Sequence, residues 1–143
     1  MTQKDKELLF KDLCARMPYG VMCHIKGEKD AMPLHSCITD IYAFDFKLGE
    51  NSYLTFRTVD EIKPYLFPLS SMTEEQYWEM QKLSGEDCLE HMEISKNFRN
   101  NTDFSNLPLY EYRVIDWLNR NHFDYRGLIP KGLALDATGL NIY

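Results

Sequence analysis

The run His122-Phe-Asp124-Tyr-Arg126 sets an imidazole, a carboxylate and a guanidinium at alternate positions. These are the groups of acid–base or phosphate-handling chemistry: histidine moves a proton near neutral pH, a carboxylate orients it, and a guanidinium holds an anion. The same spacing fits a structural role, with His122 against the end of a helix and Asp124 paired to Arg126 across a turn. A five-residue cluster with no nucleophile and no partner motif favours the structural role. A second set, Cys23-His24 and His35-x-Cys37, has the side chains of a zinc site, which needs such ligands in a tetrahedron. Adjacent residues on a strand point to opposite faces, so Cys23 and His24 do not readily converge on one ion. The expectation is therefore no metal, no cofactor and no catalytic residue, with His122, Asp124 and Arg126 as the alternative catalytic set.

Other chemistry fails on residue type or context. Ser70 and Ser71 precede a helix start and read as flanking or capping residues. The chain has no G-x-S-x-G, no Walker loop and no dinucleotide-binding glycine fingerprint. The acidic pairs Asp40 and Asp45, and Glu74 and Glu75, read as solvated faces. A contact surface is the remaining candidate. Tyr65, Phe67, Trp78, Tyr125 and Tyr143 lie beyond the most obvious core positions, so exposed together they would anchor a partner. Packed together they would form a second side of the core. Both readings stay open on sequence alone.

The elements that must position these groups change character along the chain. Residues 4–17 have the helical period: Leu9, Leu13 and Met17 share a face, widened by Phe10 and Cys14. Lys4, Lys6, Glu7, Lys11 and Asp12 occupy the rest, and Pro18 and Gly20 end the helix. Residues 20–26 place Val21, Cys23 and Ile25 on one face of a strand; residues 27–33 read as a loop. Within residues 34–48, Tyr42, Phe44, Phe46 and Leu48 alternate with Ala43, Asp45 and Lys47, which is a strand period. A turn at residues 49–51 then returns a second strand over 53–59. Connections this short make antiparallel pairs.

Residues 63–76 mark the junction with a helical second half. A short apolar run punctuated by Pro64 and Pro68 leads into Thr73-x-x-Gln76, the spacing of a capping box. The following helix turns Tyr77, Met80 and Leu83 inward and stops at Ser84-Gly85. Leu89 and Met92 mark a weaker helical turn, residues 97–106 a loop. A last helix over 108–121, with Pro108 in its first turn, buries Tyr110, Val114, Trp117 and Leu118. The glycine-rich tail, 123–143, docks irregularly over the core.

The chain has 143 residues, 44% hydrophobic and 13% aromatic, with a net charge of −6. That is one domain's worth of chain with enough apolar area for a core. The acidic balance works against binding nucleic acid through its phosphates. No apolar run approaches the roughly 20 residues that span a bilayer, and the charged amino terminus lacks the apolar stretch of a signal peptide. A cytoplasmic location follows, and in that compartment Cys14, Cys23, Cys37 and Cys88 are read as free, buried thiols.

Three stretches carry a resemblance: Asp12-Leu-Cys-Ala-Arg-Met-Pro-Tyr-Gly-Val21, residues 63–76, and Asp116-Trp-Leu-Asn119 with His122-Phe-Asp-Tyr-Arg-Gly-Leu128. They resemble a group of small proteins encoded in gut Bacteroides genomes, often in prophage or mobile-element surroundings. That group has no known activity, so no residue inherits a role; the resemblance implies an intracellular bacterial or phage protein. The expected fold is a single α+β domain, residues 1–143, β-rich over about 20–69 and helical over about 70–143. It has an N-terminal helix, a small antiparallel sheet that could curl into a partial barrel, and two C-terminal helices. The expected function is non-catalytic binding of another protein, with Tyr65, Phe67, Trp78 and Tyr125 as contacts, in the service of a phage or mobile element. A small hydrolase or nucleotide-processing enzyme is the alternative.

Overall fold

The computed structural model describes residues 1–38, 43–47, 54–83 and 112–143. The first helix, α1 (Gln3–Arg16), opens with a capping box in which Thr2 and Asp5 satisfy each other's backbone N–H groups. Leu9, Phe10 and Leu13 are buried as the period requires. Asp12 and Arg16 are buried as well, which corrects the assignment of Asp12 to the solvent face. A single turn of 3-10 helix, Met17–Tyr19, follows, and Gly20 closes it at φ 68°.

Four strands then run as a meander: β1 (Met22–Ile25), β2 (Met32–Ile38), β3 (Ala43–Lys47) and β4 (Leu54–Thr58), each antiparallel to the next. The expected loop over 27–33 thus gives up Met32 and Pro33 to β2, and the stretch 34–48 divides between two strands. Phe44 and Phe46 are buried, as their alternation implies; Tyr42 and Leu48 lie outside the described residues. The fifth strand, β5 (Ile62–Leu66), returns to pair with β1 on the meander's other edge. Residues 62–66 are therefore a strand in their own right, with Ile62, Pro64 and Leu66 buried between Lys63 and Tyr65.

Proline is poorly placed in most strands because it has no N–H to give. Here the Leu66 carbonyl accepts from Ala137 N, so Pro64, two residues earlier, turns its nitrogen to the same edge. The neighbour on that edge, β6 (Leu135–Asp136), begins to pair only at Tyr65, so Pro64 breaks no ladder bond. This last pair is parallel, so the sheet is mixed, not purely antiparallel. Its order is β4-β3-β2-β1-β5-β6, and among the described residues it does not close on itself.

The helical half holds α2 (Glu74–Leu83) and α3 (Tyr112–Arg120). The capping box forms as its spacing suggests: Gln76 N donates to Thr73 Oγ1 at 3.2 Å and Thr73 N to Gln76 Oε1 at 2.9 Å. Residues 84–111, with Leu89, Met92, Pro108 and Tyr110, lie outside the described part.

Among the described residues the core divides in two. One cluster packs Leu9 and Leu13 of α1 on Val21, Cys23, Ile25, Phe44, Ile62 and Leu66 of the sheet side. The other gathers Met72, Met80, Val114, Trp117, Leu118 and Phe123 between α2, α3 and the tail. Each such side chain contributes about 1.5–3 kcal/mol on burial.

Candidate functional site

The candidate site forms where α3 ends. Phe123 N donates to Leu118 O at 3.0 Å and His122 N to Asn119 O at 3.2 Å, the bond pair of a Schellman motif. That motif requires a left-handed residue, and here it is His122, at φ 58°, where glycine is usual. Bonds on both sides hold it there. Phe67 N donates to His122 O at 2.9 Å, and Asp124 N donates to Phe67 O at 2.8 Å. The chain just past β5 is thus stitched to the turn.

His122 has 7% of its surface exposed, and its ring stacks on Tyr143 with centroids 3.9 Å apart and planes 12° from parallel. Its Nδ1 is buried without a hydrogen-bond partner among the described residues. Burial, and next the positive charge of Arg16, lower its pKa from 6.5 to about 4. At neutral pH the ring is uncharged.

The groups predicted to join it have other partners. The Asp124 carboxylate accepts from Leu128 N at 2.7 Å and Ile129 N at 2.8 Å, holding the next turn. Arg126 reaches away from Asp124 to Asp12 Oδ1, at 2.8 Å. Asp12 also takes two bonds from Arg16, from Nε at 2.8 Å and Nη2 at 3.1 Å. Arg16 Nη2 donates in addition to Phe123 O at 2.7 Å, at the carbonyl end of α3. The Tyr125 ring has Arg126 at 4.7 Å and Arg16 at 5.4 Å from its centroid, while its hydroxyl donates to Asn119 Oδ1 at 3.1 Å. The three residues singled out as an acid–base set therefore do not converge. What sequence reading missed is Asp12 and Arg16, whose i,i+4 spacing on a helix was the available signal.

His122 also lines a cleft of about 480 Å³. Phe67, Phe123, His122 and Tyr143 supply its ring walls; Ser71, Thr73 and Gln76 line it from the start of α2, and Thr138 and Gly139 from the tail. Among the described residues that line it, Arg120 is the one charged side chain. Phe67 lies 6.3 Å from Phe123 and 5.9 Å from Tyr143, centroid to centroid. The Tyr143 hydroxyl donates to Tyr65 O at 2.6 Å and accepts from Met22 N at 3.2 Å. It bridges β5 and β1 one step beyond the paired Cys23 and Pro64. Burial of that hydroxyl raises its pKa.

Of the predicted contact aromatics, Phe67 lines the cleft, and both Phe67 and Tyr125 pack against the second core cluster. Tyr65 and Trp78 are half-buried elsewhere; Trp78 meets Tyr77 edge-on at 5.9 Å. On β1, Cys23 is buried and His24 faces the other side, and His35 is exposed. Among the described residues no group of three or more His, Cys, Asp or Glu side chains could hold a metal. Cys14 and Cys37 do meet: burial first, then the neighbouring Cys37, pushes the Cys14 thiol up to about 12.

Comparison with family models, curated proteins and solved structures finds no match for this chain. Among the described residues no helix is long and apolar enough to cross a membrane.

Proposed function

We propose that this chain is a non-catalytic accessory protein that binds another protein through the cleft at the end of α3. Its proposed setting is the bacterial cytoplasm, in the service of a phage or mobile element; this rests on the resemblance carried by residues 12–21, 63–76 and 116–128. The observation that supports the binding role is the division of labour between the cleft and the ion network. Rings wall the opening, while Asp12 and Asp124 are engaged by guanidinium and backbone N–H groups. An imidazole with a pKa of about 4 and no carboxylate to orient it is a weak base at pH 7. An enzyme built on His122, Asp124 and Arg126 would need those side chains to turn toward one substrate.

The test is a comparison of the wild-type chain with Thr138→Arg, which loads the exposed rim of the cleft with a long cation. Wild-type protein is expected to capture its partner from the native host; the variant is expected to lose it with an unchanged circular dichroism spectrum. A partner held equally by both would move the interface elsewhere. A turnover abolished by His122→Ala at unchanged stability would replace the reading with the enzymatic one.

A further inference from the structure

Resting on that reading of the cleft, we infer that the partner segment it accepts is an aromatic residue beside an acidic one. The ring packs against the cleft wall that Phe67, Phe123 and Tyr143 form together, and the carboxylate meets Arg120. Size argues for a single anchor: about 480 Å³ lies in the lower part of the roughly 300–1,000 Å³ range of ligand sites. Wall chemistry argues for a ring, since aromatic pairs at 4.5–7 Å gain attraction beyond burial.

Charge argues for the acid. In a chain of net charge −6, the one charged side chain among the described residues lining the cleft is a cation. Arg120 donates to Asp116 Oδ2 at 3.1 Å, both side chains being largely in water at 63% and 43% exposure. Its guanidinium also lies 5.6 Å from the centroid of the Tyr19 ring; an exposed i,i+4 pair of this kind is weak, so a partner's carboxylate competes with Asp116 for the guanidinium through two parallel bonds. The cleft also offers donors. Gln76 spends its Oε1 on Thr73 N and keeps an NH₂ group. His122 has Nδ1 sealed and unpartnered, which leaves Nε2 as the nitrogen open to the cleft. The start of α2 is already closed by its capping box, so Arg120, not the helix end, holds the charge.

The test titrates ¹⁵N-labelled full chain with three capped dipeptides, acetyl-Asp-Phe-amide, acetyl-Lys-Phe-amide and acetyl-Asp-Ala-amide, and with phenylacetate. The Asp-Phe peptide is expected to shift the amide signals of Phe67, His122 and Gly139, and to bind at least tenfold more tightly than the other two peptides. Arg120→Gln is expected to reduce it to the level of Lys-Phe. Equal binding of Lys-Phe or Asp-Ala overturns the inference but leaves the cleft as a binding site. Tighter binding of phenylacetate makes the occupant a free small acid and overturns it too. No shift with any probe overturns it as well; the cleft reading then falls only if Thr138→Arg also keeps its partner.

Discussion

His122 carries two costs at one position. A left-handed backbone is unfavourable by about 1–3 kcal/mol for a residue with a Cβ, and a buried nitrogen without a partner adds desolvation. The bonds to Phe67 and the stack on Tyr143 hold it there. A pH dependence follows. With an unfolded pKa near 6.5 and a folded value of about 4, the unfolded chain takes up a proton that the folded chain refuses. The stability from the neutral ring is complete above pH 6.5 and is lost as pH falls toward 4, by up to about 3 kcal/mol. Urea unfolding at pH 7.5 and 4.5 should reveal a smaller acid loss in His122→Gly than in the wild type. Asp5, Glu61 and Glu75, each held low by hydrogen bonds at a helix start, add an acid loss common to both proteins. Equal loss in the two would contradict the assignment. Arg16 is the other decisive residue. Arg16→Ala strands the buried Asp12 with only Arg126 and should cost about 3–5 kcal/mol in the same assay at pH 7.5.

At the scale of elements, the sheet is finished by a side chain from the tail. Beyond Cys23 and Pro64, the Tyr143 hydroxyl stands between Met22 N and Tyr65 O, and so joins β1 to β5 where their direct ladder stops. Tyr143→Phe keeps the ring over His122 and removes that bridge. It should destabilise the chain by about 0.5–1.5 kcal/mol and speed hydrogen exchange at the Met22 amide. Unchanged exchange there would mean the bridge does not protect the strand. The tail is thus an edge of the sheet through β6, a wall of the cleft through Thr138 and Gly139, and a tie between strands through Tyr143.

At the scale of the molecule, the two apolar clusters of the described residues are joined through polar bonds. Arg16, from the helix that covers the sheet, reaches the carbonyl of Phe123 beside α3, and Arg126 reaches back to Asp12. Both tryptophans, Trp78 and Trp117, lie on helices of the second cluster. Unfolding followed by tryptophan fluorescence should therefore coincide with unfolding followed by far-ultraviolet circular dichroism, as one cooperative step. Two separated midpoints would show that the network does not couple the halves.

Periodicity alone determined α1, the buried alternation of Phe44 and Phe46, the capping box at Thr73 and the apolar face of α3, because each depends on neighbours within a few residues. Two things escaped it. The strand at 62–66 was hidden by Pro64, whose tolerance depends on which edge β6 occupies and where it begins. The fate of His122, Asp124 and Arg126 was hidden by Asp12 and Arg16, more than 100 positions away in sequence for the closest bonds. Local pattern specifies which face of an element is apolar. Only the packed fold decides which distant carbonyl or carboxylate a guanidinium meets, since that choice follows from burial, and burial belongs to the whole chain.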